Sequence, residues 1–172
     1  AFIFSAFTGL SYVDMQRLRP SNIGVIVDGR SYIRINRKKT DVESFVPLHP
    51  VAEQILALYN TTDESRPIFP LPNRNMIWYC IHEIGIMAGV KENLSYHDSR
   101  HTFGTLMLSA GIPIESISKM MGHTSIRTTQ IYARVTDDKI SEDMDRLMEK
   151  RNYDFINELY INIINKILLI PS

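Results

Sequence analysis

A single cysteine, Cys80, leaves this 172-residue chain without an internal disulfide, which is compatible with a reducing cytoplasm. Net charge is absent too, with 19 basic residues against 19 acidic ones, so no overall field draws the molecule to nucleic acid or a membrane. No apolar run reaches the roughly 20 residues that a membrane span requires. The apolar stretch near the C-terminus is broken at Asn165-Lys166. No secretory leader is expected. No internal repeat and no low-complexity linker interrupts the chain. What remains is ordinary for one globular domain: 44% apolar residues and a length sufficient for a real core. The opening Ala1-Phe2-Ile3-Phe4 starts without methionine inside an apolar helical pattern, so the chain is expected to be the back half of a larger protein.

The charge that is present is unevenly distributed. From Arg17 to Lys39 the chain carries Arg17, Arg19, Arg30, Arg34, Arg37, Lys38 and Lys39 against Asp28. From Asp137 to Glu158 acids outnumber bases. A basic front and an acidic rear can give a neutral molecule one cationic face. Both runs also fit ordinary solvated surface, and composition does not separate the two readings.

Local pattern predicts a short sheet followed by helices. Phe2 to Phe7 reads as a helix that Thr8-Gly9 breaks, with a shorter helix from Asp14 to Leu18 ended by Pro20. Ile23 to Val27 is β-branched, Asp28-Gly29 is a hairpin turn pair, and Ser31 to Ile35 alternates. After the basic turn Arg37-Lys38-Lys39-Thr40, Ser44 to Val46 gives a third strand, so a small antiparallel sheet is placed at roughly 23–47. Beyond Pro47 the pattern is helical. A helix from about Asn73 to Met87 should bury Ile77, Trp78, Ile81 and Ile84; Asp98 should N-cap the next, which buries Phe103, Leu106 and Met107; Pro113 opens another that Gly122 closes. The fold class is therefore α+β: a mainly helical domain over 1–150 with a small three-stranded antiparallel sheet at one edge. Phe155, Ile156, Leu159, Tyr160, Ile163, Ile164 and Ile167 then recur at helical spacing, which predicts an amphipathic tail over 151–172.

Chemistry concentrates between His97 and Tyr132, in His97-Asp98-Ser99-Arg100, Gly122-His123 and Thr128-Thr129-Gln130-Ile131-Tyr132. Arginine offers a planar fork of donors to a phosphate, histidine exchanges protons near neutral pH, and tyrosine can form a covalent intermediate. Taken singly, each has a plain structural reading: His97 as a cap, Arg100 in a surface ion pair, His123 at a helix C-terminus, Tyr132 as packing. His97, His101, His123 and Cys80 could be weighed as zinc ligands, but the paired spacing of such sites is missing apart from His97 and His101, and no metal is expected.

In their joint order these residues resemble the tyrosine recombinase (phage integrase) family. The resemblance takes in Phe7-Thr8-Gly9-Leu10, the Lys39-Thr40 turn leading to Val46-Pro47-Leu48, His97-Asp98-Ser99-Arg100, Gly122-His123 and Tyr132, and its wording is most similar to integrases of mobile elements in Bacteroides-type bacteria. The resemblance implies metal-independent, site-specific cleavage and rejoining of double-stranded DNA, without any cofactor, in integration or excision of a mobile element. Tyr132 would attack the scissile phosphate to give a 3′-phosphotyrosyl link. Arg100 and His97 would hold the non-bridging oxygens, His123 would add a donor, and Lys39 would protonate the 5′-oxygen that leaves. Arg34, Arg37 and Lys38 are candidate DNA contacts. The family's N-terminal DNA-binding domain has no counterpart in this chain, and the full-length protein would work as a homo-tetramer on paired sites, with the tail contacting a neighbouring protomer or packing on its own domain.

One position departs from the family pattern. An arginine normally follows Thr-Gly-Leu, and here that residue is Ser11, whose hydroxyl cannot replace a bidentate guanidinium. Arg17, Arg19 and Arg34 are the sequence candidates to compensate. Ser11 also keeps two rivals in view, a DNA-binding module without catalysis and, within enzymes, DNA relaxation like that of a type IB topoisomerase. A helical interaction domain without any nucleic-acid role is the third.

Overall fold

In the computed structural model the described residues are 1–59, 62–90, 93–133, 141, 143–145 and 148. The chain divides into two compact units, Ala1–Ala133 and Arg134–Ser172. In the second, the described residues are helical and exposed, and the predicted tail over 151–172 lies outside the described residues. No helix among the described residues is long and apolar enough to cross a membrane.

The first unit opens with α1 (Phe2–Thr8) and α2 (Tyr12–Met15). Gly9 separates them at φ 68°, a left-handed conformation that costs glycine nothing. Space imposes the same choice, since a Cβ there would lie 2.6 Å from the ring of Phe103. A single turn at Pro20–Asn22 leads into β1 (Ile23–Val25), β2 (Ser31–Asn36) and β3 (Glu43–Pro47). They form one antiparallel sheet in the order β1-β2-β3, with Ile23 opposite Ile33 and Ile33 opposite Val46. Alternation puts Ile33, Ile35 and Val46 inward, as a half-buried sheet requires. The sheet predicted over 23–47 is found within those bounds.

Four helices follow: α3 (Pro50–Leu56), α4 (Arg74–Met87), α5 (Tyr96–Ser109) and α6 (Ile114–Met120). The main core gathers Phe4, Leu10, Met15 and Leu18 with Ile33, Phe69 and Ile81. A second core of Val46, Phe103, Ile117 and Met121 ties β3, α5 and α6 together. Truncating such a buried ring as Phe103 to alanine typically costs about 3–5 kcal/mol.

Three expectations need correction. Helix α5 starts at Tyr96 and not after Asp98. Ser95 is the N-cap, and the Asp98 carboxylate reaches back to its N–H at 2.7 Å and its hydroxyl at 2.8 Å, so Asp98 is the third-position partner of a capping box. On α4, Ile77 and Ile81 are buried but Trp78 and Ile84 are exposed, because this helix is apolar on more than one face and only one meets the core. On α5, Leu106 is exposed while Phe103 is buried; the inward face runs through Ser99, Arg100, Phe103 and Gly104.

Candidate active site

The capping box fixes the first turn of α5 and so aims His97, Arg100, His101 and Gly104, which lie within one sector of the helix. Arg100 is 5% exposed. Its Nη1 donates to the Gly9 carbonyl and its Nη2 to the Met121 carbonyl at 2.6 Å. The same Nη2 lies 2.9 Å from His123 Nε2. A guanidinium has donors only, so Nε2 accepts, and His123 is the neutral tautomer with its proton on Nδ1, 2.8 Å from Thr129 Oγ1. In this arrangement His123 is an acceptor; donation from Nε2 requires a proton there, in the other tautomer or the imidazolium, and release of the Arg100 contact.

A second buried guanidinium stands beside the first. Arg37, at the end of β2, is 8% exposed and also donates to the Met121 carbonyl. Its Nε is 2.5 Å from Asp14 Oδ2, with the N–H not aimed along that line. The contact is an ion pair rather than a linear hydrogen bond. Asp14, on α2, is itself buried. It accepts the Ser11 hydroxyl at 2.5 Å and the Lys38 N–H at 2.8 Å. Gly122, at φ 59°, makes room for Arg37, since a Cβ there would meet the Arg37 Cγ at 2.5 Å. The tight Gly122-His123 loop thus places His123 and admits the stem of Arg37.

Electrostatics follow from this crowding. Burial, and then the Arg37 charge, lowers the Arg100 pKa to about 9; it stays charged at neutral pH. Burial also lowers that of Arg37, with Asp14 acting against it. The His123 pKa falls to about 4, through burial first and Arg100 next. His97 is lowered by burial, then by His101 and Arg100. Both histidines are therefore neutral at pH 7. Two desolvated cations converge where the facing carboxylate, among the described residues, is that of Asp14. Such a site lacks an anion.

The cavity these groups line is about 720 Å³. Ser11, His97, Arg100 and His123 line it, together with Lys38, Lys39 and Thr40 of the β2–β3 turn. Of the remaining candidates, Arg34 is on the outer face of the sheet, stacked over Tyr32 and Phe45 and 3.5 Å from Glu43. Arg37, read from sequence as a DNA contact, is in the buried wall. Of the three arginines named to compensate for Ser11, Arg17 is exposed, Arg19 donates to the Glu64 carbonyl at 2.6 Å, and Arg34 is on that outer face. Tyr132 ends a short turn at Gln130–Tyr132. It packs on α5, its ring against Gly104 and 5.5 Å from that of His101. Burial raises its pKa, with Arg100 opposing. Sequence reasoning missed Asp14. The trace it leaves is a lone acid between Leu10 and Leu18, three residues after a serine. Among the described residues, no group of three or more His, Cys, Asp or Glu side chains able to hold a metal occurs.

Comparison with known proteins gives concordant results. The model of the phage integrase family matches residues 5–139. Tyrosine recombinase XerD of Staphylococcus aureus is 29% identical over 147 residues, covering 77% of this chain and 48% of that protein. Tyrosine recombinase XerA of Pyrococcus furiosus is 30% identical over 149 residues, covering 81% and 50%. The chain spans about half the length of these curated relatives. Among solved structures, XerA recombinase superposes with a TM-score of 0.61 at 26% identity, covering 86% of this chain and 56% of the other. The XerH site-specific recombinase in its pre-cleavage complex with difH substrate gives 0.63 at 21% identity, covering 83% and 44%; at that identity the likeness is one of fold.

Proposed function

Because this chain belongs to the phage integrase family, we propose that it performs the strand cleavage and rejoining of a site-specific DNA recombinase. The observation that carries this reading is the pair of buried guanidiniums, Arg37 and Arg100, meeting at the Met121 carbonyl in a cavity walled by Lys39, His97 and His123. A phosphodiester supplies the anion that this site lacks, and its oxygens take over the donors that backbone carbonyls now hold.

In this reading the Tyr132 phenol gives its proton to water and attacks phosphorus. The P–O bond to the 5′-oxygen breaks, and a 3′-phosphotyrosyl bond preserves the energy of the lost linkage. Arg37 and Arg100 clamp the two non-bridging oxygens, where charge grows in the transition state. His97 donates to one of them as a neutral imidazole. Lys39 protonates the departing 5′-oxygen from the cavity wall. Arg37 stands in for the arginine that Ser11 replaces: it reaches the pocket from β2 and is held there by Asp14, which also takes the Ser11 hydroxyl. The main argument for a module without catalysis is Ser11, and a buried guanidinium beside it weakens that argument.

The substrate is double-stranded DNA of a mobile element, handled in the cytoplasm by a homo-tetramer on paired sites, to which the segment after Lys150 contributes a contact between protomers. A nicked suicide substrate tests the chemistry. The protein should accumulate a covalent DNA adduct, and Tyr132→Phe should abolish it while leaving fold and DNA affinity in place. Adduct formation by the phenylalanine variant at the wild-type level would refute the assignment.

A further inference from the structure

We propose that His101 and Gly104 form a seat for the Tyr132 ring, which makes His101 a positioning residue for the nucleophile. This rests on the reading of Tyr132 as the nucleophile but concerns a part of α5 to which that reading gives no role. His97, His101 and Gly104 follow one another along one face of the helix. His97 belongs to the cavity wall. His101 meets it edge to face, with ring centroids 4.4 Å apart and planes at 79°. On its other side His101 meets Tyr132 edge to face, at 5.5 Å and 66°. Gly104 is the floor. A Cβ there would lie 2.6 Å from Tyr132 Cε2 and 2.8 Å from both Cδ2 and Cζ, so the ring lies directly on the helix backbone.

The seat holds the ring beside the phosphate cavity. The cavity walls are His97, Arg100, His123 and the β2–β3 turn, whereas the ring packs against the second core. Tyr132 is not among the residues that line the cavity, so in this proposal the tyrosine leaves its packing to bring its oxygen in line with a bound phosphate. His101 thereby sets how readily the nucleophile is released, and its contact with His97 joins that release to the group that binds the phosphate. An edge-to-face aromatic contact of this kind corresponds to about a two- to tenfold effect.

His101→Ala should speed adduct formation on the suicide substrate by about two- to tenfold at unchanged DNA affinity. His101→Phe, which keeps a flat ring at the same place, should restore the wild-type rate. Gly104→Ala should act in the same direction as His101→Ala, because its methyl group evicts the ring. A rate that is unchanged or lower in His101→Ala overturns the proposal. A second measurement needs no catalysis. In protein labelled with 3-fluorotyrosine, the resonance absent from Tyr132→Phe reports that ring, and His101→Ala should shift it without DNA; an unmoved resonance also overturns the proposal. Absence of any adduct from the wild-type protein would instead count against the recombinase reading, and the resonance would still decide the seat.

Discussion

The strongest demand on this site falls on Arg37, and Arg37→Lys is the perturbation that isolates it. Arg37→Ala would be a poor choice. It strands the Asp14 carboxylate, 1% exposed, with the Ser11 hydroxyl and the Lys38 N–H as its remaining partners. Breaking a buried pair from one side costs about 3–5 kcal/mol, a large part of the roughly 5–15 kcal/mol that holds a domain folded. Lysine keeps the charge beside Asp14 but loses the planar fork. It also loses the bond that Arg37 Nη1 makes to Met121, worth about 1.5–3 kcal/mol for a charged donor. Removing one preorganised donor from a developing oxyanion costs about 2.7–4 kcal/mol, or about 100- to 1,000-fold in rate. Single-turnover adduct formation on the suicide substrate should fall by that factor in Arg37→Lys, as it should in Arg100→Lys. Arg34→Lys, on the exposed outer face, should stay within about twofold of wild type, in keeping with the small worth of exposed charges. Urea unfolding of each variant separates lost chemistry from lost fold. If Arg37→Lys cleaves within about threefold of wild type while Arg100→Lys is crippled, Arg37 is structural and the place left by Ser11 is empty.

Three further outcomes are expected. Lys39→Ala should slow cleavage of ordinary DNA strongly and be rescued by a 5′-phosphorothiolate leaving group, which needs little protonation; equal slowing on both substrates would make Lys39 a binding residue. Stability should decline as pH falls from about 6.5 to about 4, because the unfolded chain protonates His123 near 6.5 and the folded chain only at about 4, so the unfolded state binds more protons in that window. His97, also lowered, adds in the same direction; denaturant melts of His123→Gln should show a shallower decline, and an equally steep one would place the dependence elsewhere. Cleavage should survive EDTA, since cationic side chains supply the charge that a divalent ion gives other nucleases; activity lost to EDTA and restored by magnesium would contradict this.

Local chemistry was legible in the sequence, and long-range burial was not. The β1–β2 hairpin follows from Asp28-Gly29 between alternating segments, because turn type and alternation are set within a few residues. The start of α5 was misplaced because an acid at the third helical position and an acid at the cap look alike without the geometry of Ser95. Helical spacing on α4 identified which residues share a face, but Trp78 and Ile84 show that spacing does not decide which apolar face the core takes. His97, Arg100, His123 and Lys39 could be picked out because their order along the chain carries the motif. The part played by Arg37 depends on Asp14 on α2 and on the Met121 carbonyl 84 residues away, and no window of sequence contains both.

The Ser11 position shows what this costs a reading from motifs. Viewed along the chain, serine is a loss. In three dimensions the Ser11 hydroxyl and Arg37 Nε approach the same oxygen of Asp14, Oδ2. A short side chain at 11 leaves that carboxylate and the space beside it to an arginine arriving from β2. Ser11→Arg would bring a second guanidinium against the one buried carboxylate of Asp14, beside an Arg100 whose pKa burial and Arg37 have already lowered to about 9. If Arg37→Lys cripples cleavage as Arg100→Lys does, serine at 11 and arginine at 37 belong together.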